Sequence, residues 1–395
     1  MKGKDAESEN AIQHSPCDIK DEAKRALRIV IAGGGTGGHL FPGIAIAQEF
    51  IKRNPKNRVL FAGAGKPFEI SVLSKTGFEH TSITTEGIKG RGLINQIVSI
   101  SIIPKGIIES IRFLKRFRPD IVIGVGGYAA GPIAMGAWLL GVKIVVHEQN
   151  ILPGITNRLL SFFADRIYVS FNNTRTTVSS KKVLVTGNPV RREILECVFE
   201  ERDYNGPESE AASGQGRPFR VLIIGGSQGA HSINLAVVEA LGRVKDKDAF
   251  SFTHQTGIQD EEMVKKAYRD HDISSAVKPF FDDMARQYNN ADLVICRAGA
   301  TTVAEVTSLG KGVIFIPFPH AADNHQVLNA RTLADTGAAE MILDKDLSGK
   351  SLVERIEHYA SNPEALNRMA SRAGNLGKPD AARVIVDDCY RLVNP

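Results

Sequence analysis

Residues 27–47 read LRIVIAGGGTGGHLFPGIAIA: an apolar run, a glycine turn closed by His39, and a second apolar stretch. A buried strand, a sharp turn and a helix start account for that order. Without Cβ atoms the turn can bring backbone N–H groups close to a ligand at the positive end of the following helix. Gly33, Gly35 and Gly38 satisfy the G-x-G-x-x-G spacing of a dinucleotide fingerprint, which also needs an acid about 20 residues on, at the end of the second strand. That strand, Arg58 to Ala62, runs instead into Gly63, Ala64, Gly65 and Lys66, so NAD is disfavoured. His39 at the top of the turn fits a proton acceptor near pH 7, and equally a histidine that only caps the helix or bonds a carbonyl.

The opening pattern returns in the second half. Phe219 to Ile224 runs into Gly225, Gly226, Ser227, Gln228 and Gly229, then a helix from Ala230. Between and after these units, short β-branched runs at 121–123, 143–147, 166–169, 291–296 and 312–317 alternate with helical stretches. Strands alternating with helices predict parallel sheets covered on both faces. The expected fold is therefore α/β, two doubly wound Rossmann-like domains facing across a cleft. The expected boundaries are an extension over 1–25, a first domain over 26–190, a linker and insertion over 191–218, a second domain over 219–378, and a C-terminal helix over 379–395 that returns toward the first domain.

At 395 residues the chain exceeds what one core usually serves. Its net charge of +5 hides an asymmetry: residues 1–190 hold 25 Lys and Arg against 14 Asp and Glu, or +11, leaving −6 for the remainder. The basic half suits an anionic partner. Cys17, Cys197, Cys296 and Cys389 form no C-x-x-C pair, which argues against a zinc site or a disulfide framework and suits a reducing cytoplasm. The first two dozen residues are polar and lack the apolar core of a secretory signal, so a disordered extension is expected. Residues 121–142 carry no charge, yet six glycines and Pro132 split them into strand, turn and helix rather than a bilayer span. Basic residues without interleaved aromatics give no nucleic-acid motif. Asp246/Asp248 and Asp344/Asp346 fall in polar turns, which does not support a metal-dependent sugar-nucleotide site.

Polar or glycine loops fall at strand ends at 33–39, 124–131, 148–150, 225–229 and 297–305, and together they suggest a cleft lined from both domains. Thr301 and Thr302 at a helix start fit capping or a phosphate contact. Glu305 fits a surface carboxylate or an acceptor of ribose hydroxyls, and the amides around 323–329 fit sugar hydroxyls or a capped helix start. Between Lys89 and Arg118, apolar residues such as Ile103, Ile107 and Ile111 are bordered by cations, with Pro104-Lys105-Gly106 expected to break the run. That stretch reads either as an interfacial segment on an anionic bilayer or as a core helix with a basic edge.

Taken in order and spacing, GGGTGGH at 33–39, GVGGYAAGP at 124–132, HEQN at 147–150, GNPVR at 187–191, GGSQGA at 225–230, CRAGATTVAE at 296–305 and DNHQ at 323–326 resemble the family 28 glycosyltransferases of peptidoglycan synthesis. The resemblance covers roughly residues 27–392. It implies a GT-B enzyme, inverting, with no required cofactor and no bound catalytic metal, a divalent cation such as Mg being compatible with it but not a catalytic ligand. The implied donor is UDP-N-acetylglucosamine; the implied acceptor is the polyprenyl-diphosphate lipid undecaprenyl-diphosphate-N-acetylmuramoyl-pentapeptide, lipid I, whose C4 hydroxyl attacks to give lipid II and UDP. Carried over by position, Thr36, Gly37, Gly38, Asn150, Arg191, Ser227, Ala300, Thr301, Thr302 and Gln326 would contact the donor, and Glu305 its ribose. The backbone of Phe281, where the family typically has a small aliphatic residue, would read the uracil. His39 becomes the candidate base or orienter of the acceptor hydroxyl, grouped with Glu305 as catalytic; Gly35, Gly126, Gly127 and Tyr128 would line the acceptor side. His325 stands where the family often has glutamine. The resemblance also implies a peripheral enzyme on the cytoplasmic face of the bacterial inner membrane, docked through residues 89–118 and Trp138. Its nearest rivals are a lipid glucosyltransferase or a UDP-sugar epimerase of the same fold; a non-catalytic sugar-nucleotide-binding subunit would lack one domain's loops.

Overall fold

The structure, a computed structural model, describes residues 25–85, 93–176, 178–196, 217–226 and 228–394, and the side chains of 93–102 and Ala322 are also left aside. Residues 1–24 of the N-terminal extension, most of the 206–218 insertion and Ser227 lie outside the described residues.

The first sheet comprises β1 Arg28–Gly33, β2 Arg58–Gly63, β3 Glu79–Ser82, β4 Ile121–Gly126, β5 Lys143–Glu148, β6 Arg166–Val169 and β7 Val183–Val185, in the order β3-β2-β1-β4-β5-β6-β7. The second comprises β8 Phe219–Ile224, β9 Phe250–Gln255, β10 Ser275–Lys278, β11 Leu293–Cys296, β12 Gly312–Phe315 and β13 Glu340–Met341, in the order β10-β9-β8-β11-β12-β13. Every pairing in both is parallel. Ile29, Val30 and Ile31 on β1 are all fully buried, which explains why the central strands read as unbroken apolar runs: helices cover both sheet faces. The edge strands β3 and β10 have mostly exposed, polar residues and carry no such signal.

The first domain carries α1 Gly37–Arg53, α2 Pro67–Thr76, α3 Leu93–Phe117, α4 Ala130–Leu139 and α5 Ile155–Leu160. The second carries α6 His231–Leu241, α7 Glu261–Asp270, α8 Met284–Asn290, α9 Ala300–Leu309, α10 His325–Ala334, α11 Gly349–Ser361 and α12 Pro363–Leu376. The last helix, α13 Ala381–Val393, buries Ile385, Val386, Cys389 and Tyr390 in the core of the first domain. Its Asp388 accepts from Arg166 and from the Tyr168 hydroxyl at 3.0 Å, and Asp387 pairs with Arg53.

One expectation is corrected. The helix α3 passes through Pro104 and Gly106 without ending. Proline removes one helical hydrogen bond. Tertiary contact outweighs that loss: a Cβ on Gly106 would stand 2.8 Å from the Thr84 carbonyl, so glycine permits close packing there. Glu109, one turn on, accepts from the Thr84 N–H and hydroxyl.

Each sheet reverses its strand order beside its first strand, between β1 and β4 and between β8 and β11. Crevices outside the carboxyl ends of strands at such points are where doubly wound folds take ligands.

Candidate active site in the interdomain cleft

The first glycine loop is shaped by contact with the loop after β4. Gly33, Gly34 and Gly35 all have φ between 90° and 136°, conformations that disfavour side chains. A Cβ on Gly33 would stand 2.1 Å from the Gly126 carbonyl, and one on Gly127 2.7 Å from the Gly34 carbonyl. The two loops therefore interlock. Beneath them lies the buried Glu69 carboxyl, pushed up in pKa by burial.

Thr36 is the N-cap of α1 but makes no capping bond. Its hydroxyl lies 3.3 Å from His39 Nδ1. The His39 ring packs on Gly126, where a Cβ would fall 2.7 Å from Cδ2. Loss of hydration, with a smaller contribution from His325, lowers the His39 pKa to about 4. At neutral pH the imidazole is uncharged and one ring nitrogen can accept a proton.

Behind His39, the HEQN segment forms a buried polar frame. Gln149 Nε2 donates to the Val125 carbonyl at 2.8 Å and to His147 Nδ1 at 3.2 Å, which leaves His147 Nε2–H to donate to the Gly187 carbonyl at 3.2 Å. Burial foremost, then His39, lowers the His147 pKa to about 4, in keeping with that neutral tautomer. Glu148 accepts from the backbone N–H groups of Asn150 and Gly154 and from Asn157 Nδ2.

Across the cleft, the N-terminus of α9 faces that of α1: the Thr301 hydroxyl donates to the Gly38 carbonyl at 3.3 Å. Neither helix has an acidic residue in its first turn, so two positive dipole ends converge. Arg191, on the crossing between domains, reaches Glu305 Oε1 at 3.2 Å, and the buried Tyr288 hydroxyl donates to Oε2 at 2.9 Å. The Arg191 guanidinium lies over the Phe41 ring, 4.1 Å from its centroid. Asn150 Oδ1 accepts from Asn329 Nδ2 at 3.2 Å, which also donates to the Ala298 carbonyl, so Asn150 bridges the domains directly.

Several sequence-derived candidates thus meet on this seam: Thr36, Gly37, Gly38, His39, Gly126, Asn150, Arg191, Ala300, Thr301 and Glu305. Others lie along the second domain's rim. The Phe281 N–H is taken by Gln255 Oε1 at 3.0 Å, while Gln255 Nε2 donates to the Gly226 carbonyl. Gln326 Oε1 accepts from the Phe318 N–H at 2.9 Å, just after Asp323 and Asn324, both at positive φ. Thr302 follows Thr301 on α9, and Tyr128 is half exposed beside Gly127. Among the described residues, no group of three or more His, Cys, Asp or Glu side chains is arranged to hold a metal ion. Phe41 and Tyr288 escaped the sequence reading. An aromatic residue on an apolar helix face reads as core, and only the fold turns these two toward Arg191 and Glu305.

Residues 29–169 match the family described as glycosyltransferase family 28 N-terminal domain, and residues 220–385 its C-terminal domain. A relative from Anaeromyxobacter sp. (strain K) is 45% identical over 93% of each chain, and one from Syntrophus aciditrophicus is 46% identical over 93% of this chain and 99% of its own. Both are named UDP-N-acetylglucosamine--N-acetylmuramyl-(pentapeptide) pyrophosphoryl-undecaprenol N-acetylglucosamine transferase. The crystal structure of Acinetobacter baumannii MurG is similar with a TM-score of 0.72 at 32% identity, covering 92% of this chain and 99% of that one. The UDP-GlcNAc 2-epimerase of Neisseria meningitidis, 16% identical with a TM-score of 0.64, shares the fold. With both of its domains matched and both cleft loops in place, the chain belongs to glycosyltransferase family 28.

Proposed function

We propose that this protein transfers N-acetylglucosamine from UDP-N-acetylglucosamine to the C4 hydroxyl of the muramoyl sugar of lipid I, with inversion, giving lipid II and UDP. The observation that carries the reading is the convergence of the α1 and α9 N-termini on one cleft, beside the uncharged His39. Names of relatives over nearly the whole chain support the substrates.

The donor diphosphate lies between the two helix ends, which with Arg191 balance the charge that grows on the leaving group. No bound catalytic metal is needed in this scheme. Glu305 accepts from the ribose hydroxyls. With Nδ1–H donating to the Thr36 hydroxyl, His39 keeps a lone pair on Nε2 and takes the proton from the attacking hydroxyl. The new bond forms at the anomeric carbon as the bond to UDP breaks, and its electron pair leaves with the diphosphate. The interlocked glycine loops and Tyr128 form the acceptor side.

The acceptor's lipid tail requires a membrane-facing surface, placed here on the cytoplasmic side. No described helix is long and apolar enough to cross a bilayer. Trp138 and Leu139 of α4, Leu159 of α5, Phe162 just after it, and Ile108 of α3 are about half exposed or more, and Trp138 stacks edge-on against Phe163 at 5.2 Å. Arg112, Lys115 and Arg116 extend α3 with exposed cations. An apolar surface bordered by cations suits anionic lipid. By contrast Ile103, Ile107 and Ile111 are only partly exposed, and Ile111 packs against Gly136 of α4. Leu159→Ser with Phe162→Ser is the sharper test: loss of binding to phosphatidylglycerol vesicles is expected, and unchanged binding refutes the docking surface.

The transfer itself is tested by UDP release from UDP-N-acetylglucosamine with and without a lipid I analogue. Acceptor-dependent release is expected. Turnover of the donor without acceptor, or none with any polyprenyl-linked acceptor, overturns the assignment.

A further inference from the structure

Arg191 touches the candidate site from both domains through a single side chain. Its guanidinium ion-pairs with Glu305 of the second domain and stacks on Phe41 of the first. Among the described residues its Nε is buried without a hydrogen-bond partner, so the ring face is what supports that part of the group. The ring is itself held. Phe68 meets it edge-on at 6.4 Å, and a Cβ on Gly37 would stand 2.9 Å from its Cε2, so the glycine loop lies directly against the other part of the ring. An arginine with several rotatable bonds would otherwise have to be ordered by the ligand, at a cost in affinity.

We propose that Phe41 is a positioning residue for the donor: through its π face, the acceptor-side domain holds Arg191 in the orientation that meets Glu305 and the UDP moiety. This inference rests on the donor assignment above. It makes donor affinity a property of both domains, since the residue that orients the arginine sits four positions from the start of α1, on the helix that also bears His39. A cation–π contact of this kind contributes about 0.5–2 kcal/mol, or roughly a 2- to 30-fold change in dissociation constant.

The test keeps the shape of the ring and changes only its electrostatics. Mono-, di- and trifluorinated phenylalanine are incorporated at position 41 of the full chain, and UDP binding is measured by calorimetry. The dissociation constant is expected to rise stepwise with fluorination, reaching about tenfold for the trifluoro ring, while the ligand-free protein keeps one cooperative transition and loses no more than a few degrees in melting temperature. Phe41→Leu and Phe41→Met, which keep apolar bulk without a π face, are expected to match or exceed the trifluoro value. A flat series in a protein that binds UDP normally overturns the role of Phe41 and leaves the donor site standing. Failure of the unmodified protein to bind UDP overturns the donor assignment instead.

Discussion

The two strand–loop–helix units, β1 into α1 and β8 into α6, share a backbone plan and differ in how their loops are held. Both turn on glycines at positive φ, and both pack against a neighbouring strand end. In the second unit, His231 Nδ1 lies 3.0 Å from both oxygens of Asp260, which also accepts from Asn234 Nδ2 at 2.7 Å. Asn234 Oδ1 in turn faces His254 Nε2 at 3.0 Å. In the first unit, among the described residues, no carboxylate is hydrogen-bonded to the histidine: His39 has the Thr36 hydroxyl at Nδ1 and Gly126 against its ring, with His147 and His325 nearby, and the helix end faces the cleft. One unit is locked by a polar network, and in its counterpart the imidazole and the N-terminus of α1 face the cleft.

Breaking the open loop should have the largest effect. His39→Ala is expected to lower kcat by about 10²- to 10⁴-fold while UDP affinity, measured by calorimetry, is retained; a kcat within a few-fold of wild type removes His39 from the chemistry. Breaking the locked loop should act on stability instead. Asn234→Ala leaves His254 and the Thr256 carbonyl without their buried partner, and a loss of about 1–3 kcal/mol is expected in denaturant unfolding, with turnover kept at permissive temperature.

The network also predicts a pH dependence. Burial lowers the His254 pKa to about 3 from an ordinary value of 6.5. Between those values the unfolded chain takes up a proton that the native state does not, so the contribution of His254 to stability is undiminished above 6.5 and falls as the pH drops below it, by about 1.4 kcal/mol per unit, on top of those of the buried His39 and His147. His254→Gln should flatten that slope by one proton; a slope unchanged between pH 6.5 and 5 contradicts the neutral, buried histidine. The smallest effect is expected for Asp260→Asn, which preserves most of the geometry at the exposed His231 end: about 0.5 kcal/mol in the same unfolding assay, and no change in kcat.

Much of this was readable in the chain. The β1 and β8 runs are apolar on every residue of their inner stretch because both sheet faces are covered, and the glycine turns mark where each strand ends. The motifs at 33–39, 147–150 and 296–305 pointed to one cleft. Less was readable where a residue's role depends on a distant neighbour. Pro104 and Gly106 suggested a helix end, yet the contact with Thr84 carries the helix through. Ile103, Ile107 and Ile111 formed an apolar stripe, but α4 covers part of it, and the exposed apolar surface comes from Trp138, Leu159 and Phe162 on separate elements.

The sequence by itself determined the alternation of strands and helices, the doubled architecture and the chemical character of each loop. Those follow from local periodicity, glycine backbone freedom and the side chains present. Tertiary structure alone decided that Thr301 meets Gly38, that Asn150 and Asn329 join the domains, and that Arg191 lies between Phe41 and Glu305. It also decided the charge of His39, because hydration is lost only when the distant loop that carries Gly126 packs against the ring. Contacts of that kind arise from packing two sheets against a shared seam, and no local pattern encodes which side chains will face one another there.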